Sequence, residues 1–217
     1  SSQLSEDCVN MVNTVDRDAV GLLLNMHKYV NLIIPRGGKA LIERVQIDSK
    51  IPVLSHLDGL CHTYIDVDAN KEMAINIVLN AKMRRTGICG ATETLLCHKD
   101  VIINILPDII NKLIEQGCEI RADKNIKVLN HNIKNATIED WQTEYLDKIL
   151  SIKTVENVSD AVNHIEKFGS NHTDAIITDN KKTAEIFLKE VNSAIVLHNA
   201  STQYADGGEF GMGAEMG

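Results

Sequence analysis

The chain has 217 residues, with 22 Lys and Arg against 30 Asp and Glu, a net charge of −8 at pH 7. Apolar residues at 44% and charged residues at 24% describe a globular protein with a buried core rather than a disordered one. The net acidity and the 4% of aromatic residues exclude nonspecific nucleic-acid binding, which needs clustered cations or stacking platforms.

No apolar run approaches the roughly 18 residues of a membrane span, and no signal-peptide pattern opens the chain, so a soluble cytoplasmic protein with no membrane partner is expected. Residues 8–12 read as a strand, and Thr14 opens a helix with Val20, Leu23 and Leu24 on one face. Residues 30–34 form a continuous apolar run that ends at Pro35-Arg36-Gly37-Gly38, and a helix follows with Ala40, Leu41 and Val45. Residues 51–54 and 63–67 read as strands, and Asp68 suits the N-cap of a helix running to about Met83. A strand at 94–96 precedes a helix over 100–116 that Gly117 closes. A helix over 159–168 ends at Gly169, a strand covers 175–178, a helix 180–191 and a strand 194–197, before a glycine-rich tail from Gly207 to Gly217. β-branched runs alternating with amphipathic helices predict an α/β fold with a largely parallel sheet.

Two places in this pattern suggest chemistry. At the strand–glycine–helix junction, Arg36, Gly37, Gly38 and Lys39 offer backbone N–H donors, a helix N-terminus and two cations, an arrangement that holds an anion. A plain βα turn is the simpler reading. The second is Thr86-Gly87-Ile88-Cys89-Gly90, a loop between a helix and a strand. Gly87 and Gly90 let the backbone approach a ligand, and Arg84 and Arg85 add positive charge that favours a thiolate. A catalytic nucleophile and a packing residue both fit Cys89 on these grounds. The other four cysteines (Cys8, Cys61, Cys97 and Cys118) are widely spaced with no C-x-x-C pair, so neither a disulfide framework nor a metal site is expected, and Cys97 reads as packing.

Five segments carry a resemblance. Residues 30–39, His56-Leu57-Asp58-Gly59-Leu60-Cys61-His62, Leu79-Asn80-Ala81-Lys82, Gly87-Ile88-Cys89 with Glu93-Thr94-Leu95-Leu96, and Ala205-Asp206-Gly207-Gly208-Glu209-Phe210-Gly211 resemble the gamma-glutamyl phosphate reductases. The stretch from Ala161 to Gly169-Ser170-Asn171-His172-Thr173-Asp174 resembles that family's signature, with Phe168 where His or Tyr is expected. The resemblance implies the aldehyde dehydrogenase superfamily fold and NADPH-dependent reduction of L-glutamyl 5-phosphate to glutamate 5-semialdehyde, a step of proline biosynthesis. It places Cys89 at the nucleophile, Arg36, Gly37, Gly38 and Lys39 at the cofactor, and Glu144 at the nicotinamide ribose. His56, Asn199, Asp206 and Gly207 fall at the substrate site. Hydrolytic relatives carry a water-activating Glu where His56 stands, so the replacement suits a phosphate-dependent reductase.

Members of that family are nearly twice this length. The expected organisation is therefore the C-terminal half of a cofactor-binding domain over 1–54, an incomplete Rossmann-like half, then a catalytic domain over 55–217 with a return segment near 198–217. Two classes of function follow. One is the reductase, acting on a small molecule as a homo-oligomer or with a complementing chain that brings the missing half. The other is a remnant or self-associating module of the same fold, impaired in catalysis.

Overall fold

The computed structural model describes residues 5–213, so the end of the glycine-rich tail, 214–217, lies outside the described residues. The chain divides into two compact units, Ser1–Leu57 and Asp58–Gly217.

The first unit holds two helices, α1 (Asp18–Leu23) and α2 (Lys39–Asp48). Leu24, Ile42, Val45 and Ile51 make its small buried core. The apolar runs read as strands do not become a ladder: Ile33 and Val53 share one isolated parallel bridge. Residues 8–12 carry no strand, and Val9 and Met11 are about 90% exposed. A β-rich run with no partner to satisfy its backbone stays irregular. The helix expected from Thr14 begins only at Asp18, with Thr14 and Asp16 accepting local N–H bonds instead.

The second unit is a seven-stranded sheet whose paired strands are all parallel. Its strands are β1 (Cys61–Ile65), β2 (Thr92–His98), β3 (Glu119–Ala122), β4 (Lys134–Asn135), β5 (Ile149–Val155), β6 (Thr173–Ile177) and β7 (Ile195–His198), in the order β4-β3-β5-β2-β1-β6-β7. The helices are α3 (Lys71–Met83), α4 (Leu106–Glu115), α5 (Lys124–Lys127), α6 (Val158–Phe168) and α7 (Lys181–Glu190). Side chains alternate across the sheet as the period of two demands. Ile65, Leu95, Cys97 and Ile177 meet α3 and α4 on one face, while Tyr64, Leu96 and Ile176 meet α6 and α7 on the other. Both faces are covered, which is the usual condition of a parallel sheet and explains the fully buried runs of β1, β2 and β6.

Several boundaries move for identifiable reasons. Asn70, not Asp68, caps α3 by accepting from Met73 N–H, and Asp68 pairs with Asn180. The helix expected over 100–116 starts at Leu106, because Pro107 suits a first turn and not a helix interior. Gly117 closes it with φ +81°, the left-handed conformation read for it. Gly169 ends α6 with φ −72°; it is required by space, since a side chain there would lie 2.6 Å from the Ile165 carbonyl. Among the described residues no helix is long and apolar enough to cross a membrane.

Candidate active site

Cys89 lies in the loop between α3 and β2, at the edge where the strands of the parallel sheet begin. Its neighbour Gly90 is buried, and a side chain there would stand 3.4 Å from the Thr202 carbonyl. Thr202 is fastened in turn by a buried hydroxyl ladder, with Thr202 and Thr92 oxygens 2.9 Å apart and Thr92 and Thr63 oxygens 2.7 Å apart. From the other side comes Gly59, whose backbone lies so close that a side chain would fall 2.5 Å from Cys89 Cα. The nucleophile candidate is thus packed between two backbones, and the contact with Gly59 requires glycine.

The turn that presses on Cys89 is itself held by distant side chains. Gly59 N–H donates to Glu144 Oε1 at 2.9 Å, and Leu60 N–H donates to Ser170 Oγ at 2.9 Å. Cys61 Sγ donates to the Cys89 carbonyl at 3.0 Å and lies 3.6 Å from His172 Nδ1. A ring nitrogen of His172 comes within 4.8 Å of Cys89 Sγ, while its Nδ1 stands 2.9 Å from Thr173 Oγ1. An imidazole this near a thiol can take its proton once the two close to hydrogen-bond reach or share a bridging water.

Beneath the loop, Lys82 on α3 and Glu93 on β2 form an ion pair at 2.5 Å with both side chains sealed from solvent, at 0% and 1% exposure. Burial pushes the Glu93 carboxyl up to about 7, against the opposing pull of Lys82. The thiols of the other cysteines in this unit are suppressed. Burial and the charge of Asp174 raise Cys61 well above the ordinary thiol range, burial also raises Cys97 well above it, and burial lifts Cys118 to about 11. Cys89 is the half-exposed thiol of the unit.

The remaining sequence-assigned residues divide between the two units. Arg36, Gly37, Gly38 and Lys39 are exposed at the start of α2 in the first unit. Gly38 is the N-cap and caps with no side chain, and a side chain there would meet nothing within 4 Å. Beside it Val20, Leu23, Leu24, Ile33, Pro35 and Arg36 line an apolar groove of about 290 Å³. His56 is exposed near the end of the same unit. Asn199 follows β7 at the opposite edge of the sheet from Cys89, and its amide is committed to both the N–H and the C=O of Thr178. Asp206 folds its own loop by accepting from Gly208 and Glu209 N–H groups, with Gly207 inside that turn. Arg84, read as a cation for the thiolate, pairs with Glu209 at 2.9 Å.

Three features escaped the sequence reading. Lys82–Glu93 was detectable as charge inside two otherwise apolar patterns, and His172 lay in the signature segment without an assigned role. Gly59 gave no local signal, because its constraint comes from a segment 30 residues on.

No protein-family model matches the chain. Among curated proteins it is 52% identical over 214 residues, 99% of its length, to a gamma-glutamyl phosphate reductase of Rhodospirillum rubrum, of which it covers 50%. The crystal structure of a gamma-glutamyl phosphate reductase from Thermotoga maritima superposes with a TM-score of 0.92 at 39% identity, covering 95% of this chain and 50% of that one. An NADP-dependent glyceraldehyde-3-phosphate dehydrogenase from Bacillus halodurans, solved in complex with NADP, shares the fold at a TM-score of 0.70 and 17% identity, over 86% of this chain and 47% of that one. The chain spans about half the length of the relatives it matches.

Proposed function

We propose that this chain, kin along nearly its whole length to the gamma-glutamyl phosphate reductases, carries the thiol chemistry of such an enzyme: NADPH-dependent reduction of L-glutamyl 5-phosphate to glutamate 5-semialdehyde and phosphate. The observation that carries it is Cys89, half-exposed against the Gly59 backbone with an imidazole nitrogen within 4.8 Å of its sulfur.

In this reading His172 takes the Cys89 proton and holds the thiolate as an ion pair. The thiolate attacks the acyl carbon, the C–O bond to phosphate breaks, and a thioester forms. NADPH, when bound, supplies the hydride that takes this thioester to a thiohemiacetal. Cys89 then departs as thiolate while the aldehyde C=O reforms, and the cycle closes without a water molecule. Water is a competitor for the thioester, and a carboxylate base would activate it. Glu93 is tied to Lys82 and Glu144 to Gly59 N–H, so both are engaged structurally rather than poised as bases. His56 supports the same economy, standing where hydrolytic relatives carry Glu.

The first unit has features that suit a dinucleotide. The N-terminus of α2 with Arg36 and Lys39 fits a phosphate, and the apolar groove beside it fits the adenine face. Asp206 and Gly207 are assigned to substrate as a loop tethered through Glu209 to Arg84, five residues before Cys89. Asn199 is assigned to shaping the turn after β7.

Phosphate-dependent oxidation of glutamate 5-semialdehyde, followed by NADPH appearance, tests the proposal; Cys89→Ser must abolish it. A second reading, a self-associating module without activity, draws on Val9, Met11, Val15 and Ile47, which are more than 80% exposed in the first unit. A second copy or a complementing chain would cover such a surface. A chain that oligomerises yet gives no turnover, even with the half of the enzyme it does not span, would favour that reading.

A further inference from the structure

The segment 144–146 acts as a strap across the Cys89 loop, and each of its residues is fastened separately. Glu144 accepts Gly59 N–H at 2.9 Å. The Tyr145 hydroxyl lies 2.8 Å from Asp140 Oδ1 and 2.7 Å from Ser151 Oγ. Leu146 N–H donates to Glu93 Oε1 at 3.2 Å, from a left-handed backbone at φ +52° that a branched residue adopts only when its surroundings impose it. The other oxygen of Glu93 is held by Lys82, whose ammonium also lies 5.9 Å from the centre of the Tyr145 ring.

We propose that Lys82 and Glu93 are positioning residues for Cys89, acting through this strap. Glu93 fixes Leu146, the fixed strap aims Glu144 at Gly59, and Gly59 sets the backbone of Cys89 against which His172 must register. The proposal rests on Cys89 being the nucleophile. It explains why two charges sit sealed in the core on either side of that cysteine in sequence, Lys82 seven residues before it and Glu93 four after. An apolar pair of equal volume would serve stability as well or better, but it could not accept the Leu146 N–H.

Two double variants of the full chain separate positioning from packing. Lys82→Met with Glu93→Gln removes both charges and keeps an acceptor for Leu146; Lys82→Met with Glu93→Leu removes the acceptor as well. The readouts are amide hydrogen exchange and site-resolved alkylation by iodoacetamide. The Leu variant is expected to exchange the Gly59 and Leu146 amides about tenfold faster than the Gln variant, the weight of one lost hydrogen bond, with Leu95 and Ile176 in the sheet unchanged. Its Cys89 alkylation is expected to be slower by a similar factor. Equal exchange and equal alkylation in the two variants would overturn the proposal. Faster exchange throughout the sheet would also overturn it, because it marks a general loss of stability. If either double variant fails to fold, Glu144→Gln against Glu144→Leu poses the same question one link along, and equal Gly59 exchange there would overturn the proposal too. Slow Cys89 alkylation in the parent chain would instead defeat the nucleophile reading, and the exchange comparison would stand apart from it.

Discussion

Glu144 and Gly59 are joined by a hydrogen bond of 2.9 Å across 85 residues of sequence, and the glycine so held has no room for a side chain against Cys89. Two constraints therefore meet at one residue. Gly59→Ala would force its methyl into the Cys89 backbone and is expected to cost about 3 kcal/mol. Thermal unfolding would register the loss, and site-resolved alkylation would show Cys89 displaced from its register with His172.

The charges beneath the loop give a second expectation. Lys82→Met alone leaves Glu93 buried beside no cation, at a cost of about 4 kcal/mol near neutral pH. Because the stranded carboxylate is relieved by protonation, the deficit should shrink as pH falls below the value of about 7 to which burial already raises Glu93. Chemical denaturation of parent and variant at pH 8 and pH 5.5 checks it; a deficit that does not narrow at low pH would contradict the assignment of charge to this pair.

How much of this was legible follows from where the information sits. β2 and α3 were readable because their patterns are local, and Gly117 announced the end of α4 by its required conformation. Strand β5 was missed although it pairs with both β2 and β3, because Ser151 and Lys153 interrupt its apolar run. Residues 8–12 had β-forming composition and no partner. Cys89 was visible from its bracketing glycines and Glu144 was singled out by resemblance, whereas the bond from Gly59 to Glu144 and the nearness of His172 arise only when the sheet brings distant segments together. Arg84 misled for the same reason: its partner, Glu209, is 125 residues away.

The buried histidine His164 predicts a pH dependence of stability. It sits between the Trp141 and Phe168 rings with Lys153 Nζ 2.9 Å from Nδ1. Burial first, and then the charges of His62 and Lys153, depress its pKa to about 2. The unfolded chain therefore binds a proton that the folded chain refuses. This contribution is fully present above the ordinary histidine pKa of about 6.5 and falls by about 1.4 kcal/mol per pH unit below it. Between pH 7 and pH 4.5 the denaturation midpoint of the parent should fall more steeply than that of His164→Phe. Parallel lines would show that His164 is not the group responsible.

At the start of α2, Arg36→Ala is expected to weaken NADPH binding about tenfold, the weight of one charge-assisted contact to phosphate. The loss should diminish at high salt. Titration of the chain by intrinsic cofactor fluorescence measures it. An unchanged dissociation constant would remove this junction from the cofactor site.

In the proposed function Cys89 accepts an acyl group from an acyl phosphate. Acetyl phosphate added to the chain near neutral pH, followed by peptide mass spectrometry, tests it without requiring a bound cofactor. The expected result is an acetyl group on the Cys89 peptide, released by hydroxylamine as a thioester is, strongly reduced in His172→Ala and absent in Cys89→Ser. Acetylation confined to exposed Cys8 or to surface lysines, with Cys89 left unmodified, would contradict it.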